Sequence, residues 1–192
     1  MNSKIKNKKY LGRSIWGPKA WHLLHSFSIG QNKPIKQEER KCYYLFYKTF
    51  AELIPCAVCK SHYIDYFYNI YTIEEQEINR NSMKKYVFEL HNIINNELGK
   101  KEISFKKAMK IHSRTNHSDI FFFMNHAIPQ YLKLDLSLEE FDRFYTFFIC
   151  FCKIYPDKFW QRDLKKLILT SSFKNIKTPS QFSIWYSSTF IK

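Results

Sequence analysis

Pro55-Cys56-Ala57-Val58-Cys59-Lys60-Ser61-His62-Tyr63 is the stretch on which the reading of this 192-residue chain turns. Pro55 punctuates the chain, and the pattern after it predicts a helix that starts at the Cys56/Cys59 pair and continues through Ile70. Upstream, a helix over about 36–53 carries Tyr43, Phe46, Tyr47 and Phe50 as its apolar stripe. Before Pro34, Gly17-Pro18 opens a helix to about Ile29, since proline suits a first turn. Trp21, Leu24, His25 and Ser28 share one of its faces. Downstream, the polar stretch 72–80 leads to a fourth helix over about 82–98, stopped by Gly99 just past its end. A short turn of helix near 105–111 follows. The polar segment 112–118 marks a boundary, and helices are expected beyond it at 119–131, 138–154, 158–170 and 180–190. Ser137 and Glu140 have the spacing of a capping box. No alternating strand pattern or Asn-Gly hairpin turn competes, so the fold class is all-α.

Composition is that of a soluble globular protein, 45% hydrophobic and 25% charged. Aromatics are heavy, with 18 Phe and 13 Tyr, while four glycines leave little room for elaborate loops. The net charge of +14 is spread through the chain, and no run reaches the block that marks a basic tail. Solvated lysine faces and an anionic cofactor account for it better than a nucleic-acid surface, so no nucleic acid is expected as a partner. The start MNSKIKNKKY reads as a basic arm over residues 1–12, with no apolar region behind it and hence no secretory signal. No apolar stretch approaches ~18 residues, so no membrane span is expected. Five cysteines without a signal point away from a secreted disulfide framework and toward redox or metal chemistry.

At a helix start, Cys56 and Cys59 sit on unpaired backbone N–H groups and the positive end of the dipole. Both favour the thiolate, the form that attacks disulfides and flavins. Zinc is the competing reading, with His62 as a third ligand, but no second Cys-x-x-Cys completes a site. Plain structural cysteines are the third reading. Trp21 and His25 lie one turn apart, as do His91 and Asn95, and each pair read singly fits a structural role.

Together these residues resemble the Erv/ALR family of flavin-linked sulfhydryl oxidases. The resemblance is carried by residues 16–25 (WGPKAWHLLH), 55–63 (PCAVCKSHY) and 91–100 (HNIINNELGK), in order and at the family's spacing. It covers about residues 11–110 and implies a four-helix bundle with a short fifth helix, an oxidase domain over 13–112 that holds FAD. The resemblance places Gly17, Lys19, Trp21 and His25 at the cofactor from the first helix, and His62 beside it behind the disulfide. It adds His91, Asn92, Ile94, Asn95 and Leu98 from the fourth helix, Lys100 near the phosphates and Phe105 from the fifth. Cys56 and Cys59 become the catalytic pair, with no metal, and electrons pass from protein thiols through them to FAD and molecular oxygen, giving hydrogen peroxide. A homodimer or an intramolecular pseudo-dimer is implied. Such oxidases resemble those of large DNA viruses, in host cytoplasm or virion, and of the mitochondrial intermembrane space. A non-enzymatic basic helical module with a structural or metal-binding Cys-x-x-Cys is the alternative.

Two departures from the family stand out. No cysteine lies between Cys59 and Cys150, so the family's frequent second disulfide between fourth and fifth helices is absent. The sole candidate for a shuttle pair, Cys150-Phe151-Cys152, lies in an apolar helical run and reads as buried thiols. A shift of 101 residues also aligns the chain with itself: His25 with His126, Glu38-Glu39 with Glu139-Glu140, Tyr44 with Tyr145, Phe46 with Phe147, Phe50 with Phe151 and Pro55 with Pro156. Asp157 and Trp160 then take the places of the two cysteines. Residues 118–192 are therefore expected to form a degenerate, flavin-free copy of the first bundle.

Overall fold

Gly30 and Arg80 fix the first corner of the fold. In the computed structural model, which describes residues 12–191, α1 (Arg13–Ile29) ends on Gly30 in the left-handed conformation, φ +49°. The Arg80 guanidinium donates to the carbonyls of Phe27 (2.8 Å) and Ser28 (3.0 Å), which the helix end leaves without intrahelical donors, and to that of Lys33 (2.6 Å) beyond it. Its remaining nitrogen reaches the Tyr43 hydroxyl. A Cβ on residue 30 would run into that guanidinium. Gly30→Ala should therefore lower stability by about 2 kcal/mol, from the strained φ and the displaced arginine together. An unchanged urea midpoint would show that the clamp yields freely.

The other helices are α2 (Gln37–Thr49), α3 (Ala57–Asp65), α4 (Arg80–Glu97), α5 (Phe105–Ile111), α6 (His117–Tyr131), α7 (Leu138–Ile154), α8 (Lys158–Leu169), α9 (Ser171–Lys174) and α10 (Pro179–Phe190). No strand occurs among the described residues. The expected basic arm lies in the stretch before them. Most boundaries fall within two or three residues of expectation, and Ser137 and Glu140 do form a capping box. One start is corrected: α1 begins at Arg13, with Pro18 inside it rather than opening it. A proline there forfeits one N–H bond, the one that position would have donated to the Ser14 carbonyl. The second and third helices are also shorter than expected, finishing in a 3-10 turn at Phe50–Leu53 and a π turn at Tyr66–Ile70. The four-residue α9 carried no periodicity to find.

One buried apolar cluster runs through both halves of the chain. Phe27 stacks on Phe46 at 4.3 Å, Phe46 on Phe147 at 5.1 Å, and Phe50 on Phe123 at 5.9 Å. α6 packs on α1 and α7 on α2, which is why these stripes alternate between the halves. Helix starts repeat at an offset of 101 residues for α2/α7 and α3/α8, 104 for α1/α6 and 99 for α4/α10. Two tyrosines serve the buried backbone, the Tyr63 hydroxyl donating to the Tyr47 carbonyl (2.7 Å) and Tyr47 to Leu24 (2.9 Å). No helix among the described residues is long and apolar enough to cross a membrane.

Candidate active site

Cys56 is the N-cap of α3, in extended conformation, and its Sγ accepts the Cys59 N–H at 3.2 Å. The two cysteines are bonded to each other, Cα atoms 5.2 Å apart, and both are half-buried. Sulfur thus replaces the usual hydroxyl or carboxylate at a helix N-terminus, where the dipole and the cap bond both stabilise a thiolate. Lys60, next along, reaches Glu52 at 2.7 Å. Glu52 is only 7% exposed and also accepts from Arg143 (2.8 Å) and the Tyr131 hydroxyl (2.8 Å). Burial pushes its carboxyl up, but the three hydrogen bonds outweigh that and hold it below the ordinary carboxylate range. The helix bearing the cysteines is thereby tied to α6 and α7.

His62, one turn after Cys59, faces the Glu97 carboxylate at 3.5 Å, and the Tyr66 hydroxyl donates to the same residue. α3 is therefore held against the C-terminal end of α4, two residues past Asn95. His62 is not gathered with the cysteines around an ion.

Farther along α1 and α4, the expected aromatic and imidazole groups meet. Trp21 stacks on His91 with ring centres 4.0 Å apart, and His25 Nε2 lies 3.0 Å from His91 Nδ1. Two residues that sequence reasoning missed complete the cluster. His112, just past α5, stacks on His25 at 4.0 Å, and His22 meets His112 edge-on at 4.8 Å. His22, one turn from His25, carried a signal in its spacing, whereas His112 carried none. Burial first, and then repulsion among neighbouring imidazoles, pulls His25 down to about 2, His91 to about 3 and His112 to about 4. All three are neutral at pH 7. No metal was expected from the sequence, yet nitrogens of His25, His91 and His112 lie within 4.8 Å of one another, close enough to share an ion.

The remaining expected residues are more dispersed. Lys19 pairs with Asp119 of α6 at 2.6 Å and lies over the Phe122 ring. Asn92 spends its side chain on the chain reversal, bonding the Ile103 carbonyl (2.9 Å) and N–H (3.2 Å). Gly17 is half-buried, and a Cβ there would meet nothing closer than ordinary contact. Ile94 and Asn95 are half-buried, Leu98 caps α4, and exposed Lys100 returns its N–H to the Asn95 carbonyl. Phe105 packs edge-on against Phe88. A cavity of about 860 Å³ opens on the outer face of α4, between Phe88, Asn92, Asn96 and Ile103. It does not contain the imidazole cluster.

Comparison with known proteins gives these features a context. A probable FAD-linked sulfhydryl oxidase of Acanthamoeba polyphaga mimivirus is 25% identical over 100 residues, spanning 52% of this chain and 70% of the relative. FAD-linked sulfhydryl oxidases of African swine fever virus are 30% identical (Warthog/Namibia isolate) and 29% identical (Pig/Kenya isolate) over 101 residues, 52% of this chain and 82% of each relative. No solved structure gives a significant match. The model of the Erv1/Alr family matches residues 18–114, from the second turn of α1 to just past α5, and on that match the chain belongs to this family.

Proposed function

We propose that the chain is a flavin-linked thiol oxidase that forms disulfides in protein substrates through Cys56 and Cys59. The observation that carries this is the bonded cysteine pair at the start of α3, with Cys56 Sγ holding the Cys59 N–H. A substrate thiolate attacks Cys56 Sγ, and Cys59 leaves as a thiolate. A second substrate thiol then attacks its own sulfur in the mixed disulfide and releases Cys56. The cap bond lowers the basicity of that leaving thiolate, which speeds the release. The substrate has become a disulfide, and Cys56 and Cys59 hold its two electrons as a dithiol.

The relatives' names give FAD as the cofactor, and the imidazole cluster suits it. Nδ1 of His22, His25 and His112 is buried without a hydrogen-bond partner, and such atoms call for a polar ligand. Trp21 and His91, stacked on each other, add aromatic surface beside them, and exposed Lys100 supplies positive charge for phosphate. When bound, FAD supplies the two-electron acceptor that returns the dithiol to the disulfide and passes electrons to oxygen, with hydrogen peroxide as product. The neutral imidazoles orient and donate without adding charge, and His62 with Glu97 holds α3 at the end of α4. His91→Ala should leave protein with sharply reduced FAD after gel filtration and lower dithiothreitol-dependent oxygen uptake. Unchanged flavin content would make His91 a packing residue only.

We also read residues 118–191 as a degenerate oxidase bundle that takes the place of a partner subunit. Helix starts repeat at a near-constant offset, and α6 and α7 pack on the α1 and α2 they would duplicate. Asp157 supports the copy most closely. It caps α8 by accepting the N–H groups of Phe159 (2.9 Å) and Trp160 (3.2 Å), at the position where Cys56 caps α3. The cap has survived there and the redox pair has not.

A further inference from the structure

α2 and α7 run antiparallel and share the most extensive helix–helix contact among the described residues. Phe46 faces Phe147, and Glu52 at the end of α2 bonds Arg143. One turn from the phenylalanine pair, the same register sets Cys42 of α2 opposite Cys150 of α7, and the two thiols influence each other electrostatically. Cys42 is half-exposed, whereas Cys150 is 3% exposed and Cys152 fully buried. A cavity of about 330 Å³ opens beside Cys42, lined by Glu39, Lys153, Lys165 and Ile168.

The two thiols are chemically unequal. The neighbouring Cys150 thiol, then the charges of Lys153 and Lys165, bring the Cys42 thiol down against the opposing effects of burial and Glu39. The neighbouring Cys42, with burial, pushes the Cys150 thiol up. Access orders the pair: Cys42 is the thiol an incoming disulfide can reach, and the buried Cys150 is the one that resolves.

We propose that Cys42 and Cys150 are a second redox dithiol that closes into a disulfide tying α2 to α7, with Cys42 as attacking thiol and an incoming disulfide as oxidant. Cys42 thiolate attacks one sulfur of the incoming disulfide, giving a mixed disulfide and one thiolate. Cys150 then loses its proton to solvent, attacks Cys42 Sγ and expels the second thiolate. The pair gives up two electrons and the Cys150 proton, and the incoming disulfide becomes two thiolates, which solvent protonates according to pH. The Cys56–Cys59 bond of a second enzyme molecule is one oxidant of this class; that source rests on the oxidase reading, and the dithiol does not. The product fastens the C-terminal helices covalently to the half that carries the active pair. Cys152, two residues along α7 from Cys150 and therefore turned to a different face, is fully buried and stays reduced.

The test uses the full chain, reduced, desalted and incubated with glutathione disulfide. Free thiols are blocked with N-ethylmaleimide in denaturant and the tryptic peptides are mapped by tandem mass spectrometry. The expected result is Cys42 linked to Cys150, maleimide on Cys152, and a thermal midpoint several degrees above that of the reduced protein. Cys42→Ser should abolish both the link and the gain in midpoint. Maleimide on both Cys42 and Cys150, or glutathione left on Cys42, would overturn the proposal. Recovery of the Cys56–Cys59 link in the same digest shows that oxidation worked, so such a result would leave the oxidase reading untouched. That reading would fail separately, through absent oxygen uptake with dithiothreitol.

Discussion

Cys59→Ser should reduce oxygen consumption with dithiothreitol to the uncatalysed background, a loss on the order of a thousandfold or more, while FAD content stays at the wild-type level. The two halves of that result have separate causes. Without Cys59 Sγ there is no disulfide for a substrate thiolate to open, and no dithiol to collect two electrons. The helix start survives, because Cys56 still accepts the residue 59 backbone N–H as its cap. The groups proposed to hold the cofactor lie mainly on α1, on α4 and just past α5, so the substitution does not touch them. Turnover near the wild-type rate would remove Cys56 and Cys59 from the chemistry. Loss of flavin together with activity would instead mean that the pair shapes the cofactor site.

The second large effect is a fall in stability on acidification. His25, His91 and His112 have folded pKa values brought down to about 2, 3 and 4, against an ordinary value of 6.5 in the unfolded chain. Below pH 6.5 the unfolded chain binds protons that the folded one refuses, so unfolding becomes easier with each step down. The stabilisation is complete above the unfolded value and is lost as pH falls through 6.5 toward about 4, where His112 first protonates in the folded state. One pKa unit corresponds to about 1.4 kcal/mol per group, so three histidines acting together approach ~4 kcal/mol per pH unit at the steepest point. Urea midpoints should be flat above pH 7.5 and fall steeply between 6.5 and 5. A flat profile down to pH 5 would mean that the cluster is open to water. His112→Gln should make the slope shallower by removing one titrating group.

What the sequence made legible followed from local chemistry. Ser137 with Glu140, Gly99 after α4 and the cysteines at the head of α3 each act within a turn of where they stand. Pro18 misled because a proline suits a first turn, whereas here the helix starts five residues before it, at Arg13. Trp21, His25 and His91 were recoverable as a set only through the family pattern, since each alone fits an ordinary core residue. His112 was invisible: it follows a short helix, and only the packing of α5 brings its ring onto His25. Lys19 and Asn92 illustrate the same limit from the other side. Their partners, Asp119 and the Ile103 backbone, are supplied by neighbours that no spacing rule names. Glu52 was missed for a related reason, since a lone glutamate near a helix end gives no hint that Lys60, Arg143 and Tyr131 will converge on it.

The central claim is that this helical chain holds a flavin beside a working cysteine pair, and the visible spectrum of the purified protein tests it most directly. The account predicts a yellow protein with flavin absorbance, releasing about one FAD per chain on denaturation, and bleaching when dithiothreitol is added without oxygen. A colourless protein that neither carries nor takes up FAD would contradict it.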